Sequence, residues 1–242
     1  MKTIIYAKRN LKELLSDPIS LGFIIGLPAF LLVFMVVLNK NLMFNEAFEI
    51  NNFLPSTIVF SYTFLTMFSG LLIAKDRISS FLSRMLVSPL KPKEYILGYM
   101  LPLLVIAFVQ SIILFVIGFF IGLTFSIHLI LAILFLMIIS FLFISLGLLL
   151  GSLLSDQQVP PVVSIIIQVV AFMSGMWFSL DMIGGVYEDI AYVLPFAHGV
   201  DMIKSVMSGN YAEIWVNLIV IIGYIIAVTF LAIYAFKKKM KQ

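Results

Sequence analysis

The sequence has no cysteine and very little charge, with 11% of its 242 residues being Asp, Glu, Lys or Arg. Without cysteine there is no disulfide framework, no thiolate metal site and no thiol nucleophile. With so few charges the chain cannot cover a water-facing surface, since an ordinary globular chain is about 25% charged and about 45–50% apolar. Histidine is scarce as well: His128 and His198 lie about 70 residues apart, in outer loops or at a span edge, where a metal site would need three or more converging ligands. No glycine is followed by lysine, so the Gly-x-x-x-x-Gly-Lys-Ser/Thr phosphate loop is missing and the chain is expected not to hydrolyse ATP by that route. Neither Gly-x-Ser-x-Gly nor His-Glu-x-x-His occurs, which argues against a hydrolase, and no cofactor motif is present.

What fills the chain is apolar: 62% of residues, with a mean hydropathy of +1.17. The expected fold is an all-α integral membrane protein made of one transmembrane domain over residues 1–242, with short loops and no room for a soluble domain. About 20 apolar residues at 1.5 Å rise cross a hydrocarbon layer of roughly 30 Å. Six stretches meet that length: Ile19 to Leu38, Phe53 to Ala74, Tyr95 to Gly122, His128 to Leu154, Pro161 to Phe178 and Ile214 to Phe236. None carries Asp, Glu, Lys or Arg in its central turns, where one such residue costs about 2.5–3.5 kcal/mol on insertion scales.

That same absence disfavours an ion-driven carrier, which needs ionisable groups at mid-membrane to move the coupling charge. The strongest polar side chains left in the spans are Gln110 and Gln168, which together with Ser174 are the candidates for lining a substrate path. Hydroxyls such as Ser61, Thr63, Thr66, Ser69 and Ser145 are expected to bond to backbone or to a neighbouring helix.

The basic residues decide the orientation. All but Lys40 and Lys204 fall before the first span, between the second and third, or after the sixth. The positive-inside rule therefore places both termini in the cytoplasm, which requires an even number of crossings. A net charge of +3 distributed in this way speaks of membrane orientation and not of nucleic acid. Residues 1–18 do not read as a cleavable signal, because a full-length span follows with no small-residue cleavage site. Ile4, Ala7, Leu11, Leu14 and Leu15 recur at helical spacing while Lys8, Arg9 and Lys12 occupy another face, the pattern of an interfacial helix ended by Asp17-Pro18.

Residues 75–94 carry a second amphipathic pattern. Ile78, Phe81, Leu82, Met85 and Leu86 form an apolar stripe, Ser79, Ser80, Ser83 and Arg84 lie across from it, and Pro89 and Pro92 end the helix. Such a face can rest on lipid or dock into a soluble partner, and periodicity does not separate the two. Residues 180–213, on the outer side, contain the moderately apolar stretches Ile183 to Phe196 and Val200 to Met207, expected as two short helices punctuated by Gly184-Gly185, Pro195 and Gly209. Three Gly-x-x-x-Gly pairs, Gly22/Gly26, Gly118/Gly122 and Gly147/Gly151, allow close helix approach, within one subunit or at a dimer seam.

In order and spacing these features resemble the permease subunit of type-two ATP-binding cassette exporters, over nearly the whole chain. The carriers of the resemblance are Arg84-Met85-Leu86-Val87-Ser88-Pro89-Leu90 before the third span and Gly147-Leu148-Leu149-Leu150-Gly151-Ser152-Leu153 at the end of the fourth. To these are added Ser174-Gly175-Met176-Trp177-Phe178 with Asp181-Met182, and Leu194-Pro195-Phe196-Ala197-His198-Gly199-Val200-Asp201. Family members often have Glu and a Gly-Thr pair where this chain has Asp76-Arg77-Ile78-Ser79-Ser80, and an Arg where it has Lys204. The resemblance implies an N-terminal elbow helix and a cytoplasmic coupling helix using Ile78, Phe81, Leu82, Arg84, Met85 and Leu86. It also implies an external re-entrant hairpin, a separate ATPase partner and a second permease, identical or homologous, in the membrane lipid of a prokaryotic cell. The implied substrate is an amphipathic drug, an antimicrobial peptide or a lipid-like molecule. The residues alone also suit a membrane-embedded accessory or immunity protein that binds a partner without transporting anything.

Overall fold

A computed structural model describes residues 2–42, 45–78 and 92–239. The described residues are helical, with no strand among them. Helix α1 (Lys2–Leu15) is followed by α2 (Pro18–Leu42), and Asp17 sets the junction: its Oδ1 accepts from the backbone N–H of Ile19 and Ser20 while Pro18 takes the first helical position. Within α2 the ladder loosens into a π turn over Gly22–Gly26.

Helix α3 (Ile50–Ile78) is the axis of the molecule. Most of its length is buried: Phe53, Ile58, Tyr62, Leu65 and Ile73 are fully enclosed, and so are the hydroxyl-bearing Thr63, Thr66 and Ser69 between them. Around it stand α4 (Pro92–Phe120), α5 (His128–Leu153) and α6 (Val159–Met173), together with α2. After α6 come the short α7 (Leu180–Ile183) and α8 (Gly185–Val193), then α9 (Pro195–Ser208) and α10 (Ile214–Lys239). Two short helices broken at Pro195 were expected here, and the second of them is drawn inward, packing on α3, α5 and α10 with Phe196 stacked on Phe143.

Hydroxyl groups hold these helices together where lipid offers no partner. Thr66 Oγ1 donates to Phe143 O at 2.8 Å, Ser69 Oγ to Ile144 O at 3.3 Å, and Tyr62 shares a bond with Ser111 at 2.6 Å. Ser145 does the same with Thr229 of α10 at 2.9 Å. The glycine pairs behave in three different ways. Gly147 and Gly151 lie against Thr66, Ser69 and Gly70 of α3, so this pair packs within one subunit. Gly22 and Gly26 face open space and bound the π turn. Gly118 meets Leu54, while Gly122 takes φ 114° to leave α4.

Five helices among the described residues are long and apolar enough to cross a membrane: Pro18–Leu42, Ile50–Arg77, Ile96–Phe120, His128–Leu153 and Tyr211–Lys238. The expected fifth of six spans, Pro161 to Phe178, is instead the 15-residue apolar helix α6, because Gly175 takes φ 72° and turns the chain soon after Met173. In the expected cytoplasmic segment, α3 continues to Ile78 and α4 begins at Pro92. Phe81, Leu82, Arg84, Met85 and Leu86 lie outside the described residues, as does the side chain of Ile78.

Candidate functional site

Two places gather polar chemistry at opposite ends of α3. The first is its last turn, where Asp76 is only 3% exposed. Among the described residues its carboxylate accepts from Tyr6 Oη at 3.1 Å, from Tyr99 Oη at 3.0 Å, and from Arg9 in a two-pronged contact, Nη1 to Oδ2 at 2.8 Å and Nη2 to Oδ1 at 3.1 Å. The α1 residues come together because Tyr6, Arg9, Asn10 and Glu13 share one helical face. Asn10 Nδ2 donates to Gly98 O at 3.1 Å, and Glu13 supports Arg9 from one turn on, 3.0 Å away. Gly98 is needed here, since a Cβ on it would sit 2.2 Å from the Tyr6 ring. Burial pushes the Tyr6 hydroxyl well above its ordinary pKa, and the Asp76 charge adds to this against the opposing Tyr99 and Asn10 bonds, so Tyr6 remains a neutral donor.

The next residue faces the other way. Arg77 Nη1 reaches the carbonyls of Gly151 at 2.8 Å, Ser152 at 2.7 Å and Leu154 at 3.2 Å, which are among the last acceptors of α5 without a helical partner. Asp76 and Arg77 thus tie one end of α3 to α1 and α4 on one side and to α5 on the other, immediately before the chain enters residues 79–91. Sequence reasoning did not single out Tyr6, Asn10 or Tyr99, and it used Arg9 only as part of the polar face of the N-terminal helix. The available signal was an acid ending an apolar span with a lone arginine on a neighbouring amphipathic helix.

The second place is an open basin of ≈ 830 Å³ beyond the other end of α3, lined by Asn51, Asn52, Tyr192, Asp201, Lys204, Ser205, Glu213 and Asn217 among others. Tyr192 Oη donates to Asp201 Oδ2 at 2.8 Å. Beside it, His198 Nε2 donates to Tyr192 O at 2.9 Å, and Nδ1 shares a 2.6 Å hydrogen bond with the Asn217 amide. His128 bonds instead to Tyr211.

The expected path residues do not gather at either place. Gln110 is buried where α4 meets α2, and its Nε2 donates to Ile24 O of the π turn at 2.9 Å, leaving Oε1 without a partner. Gln168 stands exposed on the outward face of α6 together with Ser164, Ile165, Val169 and Phe172. Ser174 is buried just past the end of α6, its Oγ unbonded.

Compared with known proteins, residues 34–234 match the family described as ABC-2 family transporter protein. A comparison with curated proteins gave no match.

Proposed function

The chain belongs to the ABC-2 family of transporter proteins, and from that premise we propose that it is the membrane subunit of an ATP-driven exporter of amphipathic molecules, powered by a separate ATPase and paired with a second permease. The observation that carries the reading is the Asp76–Arg77 junction. A load applied to residues 79–91 by an ATPase would pass directly into α1, α3, α4 and α5, because these two side chains bind all four together. Ile78, Phe81, Leu82, Met85 and Leu86 are the docking stripe of the coupling helix in this reading, with Arg84 across from them in the sequence pattern, and the exposed Ile4, Ile5 and Leu15 of α1 rest in the cytoplasmic leaflet.

Six crossings, with both termini cytoplasmic, fit the packing of α6. Val159 and Val163 cluster with Ala74 near one end of α3, whereas Trp177, just after α6, packs on Phe48 and Phe53 at the other. Phe53 and Ala74 are about 21 residues apart on one helix, roughly 32 Å, so α6 with its following turn covers a full hydrocarbon thickness. The outward Gln168 suits a seam between two permeases, because an amide facing acyl chains would have no partner there.

Topology is checked by single cysteines in this cysteine-free chain. Those at Ser83, Ser155 and Lys239 should be shielded from an impermeant thiol reagent in intact cells, and those at Asn45 and Glu188 should be labelled. The opposite pattern would remove the orientation, and an odd number of crossings would show as termini on different sides. Transport is checked in inverted vesicles holding the permease and its ATPase. An amphipathic fluorescent dye should accumulate with ATP and continue to do so when proton and sodium gradients are collapsed; accumulation that follows the gradients instead would favour an ion-driven carrier.

A further inference from the structure

The basin at the far end of α3 contains charges that the protein itself leaves poorly matched. Lys204 is half-buried and, among the described residues, makes no hydrogen bond and no ion pair. Asp201 lies one helical turn before it, about 5–6 Å away between Cβ atoms. One Asp201 oxygen takes the Tyr192 hydroxyl, and the other makes no hydrogen bond among the described residues. Glu213 stands exposed at the rim and, among the described residues, its carboxylate takes a long contact from Ser205, at 3.4 Å. Burial raises the Asp201 carboxyl, and Glu213 adds to this against the Tyr192 bond and the Lys204 charge, while burial lowers the Lys204 ammonium against the pull of Asp201 and Asp181. Both charged forms therefore lack solvation that a ligand could supply.

We propose that this basin binds a zwitterionic group, with Asp201 and Glu213 receiving an ammonium and Lys204 receiving a phosphate or carboxylate. The volume lies within the roughly 300–1,000 Å³ range of small-molecule sites. Its wall is not wholly polar: Leu123, Leu129, Met207 and Val216 also line it, so the bound group can carry an apolar tail. A lipid headgroup and a peptide bearing both end charges present the same chemistry. The site faces away from the Asp76 end and needs no ATPase, so it stands or falls separately from the export reading.

The test uses the purified permease in dodecyl maltoside, which carries no charge, with phosphoethanolamine as the probe and calorimetry as the readout. Phosphoethanolamine should bind about tenfold or more tightly than ethanolamine or inorganic phosphate alone, a difference of about 1.4 kcal/mol, because both of its charges find a partner at once. Lys204→Gln should remove the advantage over ethanolamine, and Asp201→Asn the advantage over phosphate, each with unchanged thermal unfolding. If one variant misfolds, Glu213→Gln and the remaining variant carry the comparison. Displacement by short-chain phosphatidylethanolamine would identify a lipid source, and displacement by glycylglycine a peptide source. No binding to the wild-type protein, or equal affinity in wild type and folded variants, overturns the proposal.

Discussion

Leucine in place of Gly151 should leave no folded permease to recover from the membrane, and alanine at Gly147 or Gly151 should lower stability by about 3 kcal/mol or more. The reason is the distance between two backbones. A Cβ at Gly151 would lie 2.2 Å from Gly70 O and 2.9 Å from Gly70 Cα, and one at Gly147 would lie 2.2 Å from Thr66 O. Overpacking a core costs about 1–3 kcal/mol when side chains can give way, and here the obstacle is main chain. Separating α3 from α5 would also stretch the Thr66–Phe143 and Ser69–Ile144 hydrogen bonds, which have no substitute in lipid. Gly223→Ala is the control: the position is open in the interior of α10, so the change should be neutral or stabilise by up to about 1 kcal/mol. Thermal unfolding in detergent measures the difference, and equal midpoints for Gly147→Ala and Gly223→Ala would contradict the seam.

The second large effect is expected at Asp76. Asp76→Ala removes the shared acceptor of Tyr6, Tyr99 and Arg9 in one step. Breaking a buried ion pair costs about 3–5 kcal/mol, and the lower end applies because the Arg9 side chain is 37% exposed and can turn to water. Asp76→Asn keeps an acceptor but not the charge, so it should fall between wild type and alanine. Detachment of α1 has its own readout: Lys8, Arg9 and Lys12 should become trypsin-sensitive in Asp76→Ala and stay protected in wild type. Identical digestion and identical unfolding midpoints would mean that α1 is held by its apolar contacts alone.

Local patterns carried much of this architecture. Hydropathy placed the long helices within a few residues of where they fold, because an apolar run is a property of the segment itself. Pro195 likewise marked the break between α8 and α9, and Gly184 the one between α7 and α8. The end of α6 was less legible: Met176, Trp177 and Phe178 extend the apolar run, yet Gly175 turns the backbone before them. Tertiary partners were not legible at all. Arg9 and Asp76 are 67 residues apart, and nothing in either neighbourhood names the other. The three glycine pairs look alike as strings, and only the packing distinguishes the α3–α5 seam from the open π turn. Gln110 read as a polar group available to a substrate, whereas its Nε2 is engaged with Ile24 O.

The central claim is that an ATPase drives this permease through residues 79–91, and one pull-down tests it most directly. The permease is expressed with its candidate ATPase and captured through its own tag, as wild type, Phe81→Asp and Ser83→Asp. In the expected result Phe81→Asp loses most of the ATPase and of ATP-dependent export, because a charge in a desolvated docking groove has no partner and truncating a central aromatic anchor typically costs about 2 kcal/mol or more. Ser83→Asp, which lies off the apolar stripe in the sequence pattern, retains both. Equal ATPase recovery in all three, with export unchanged, would contradict the coupling role and favour a membrane-embedded accessory protein.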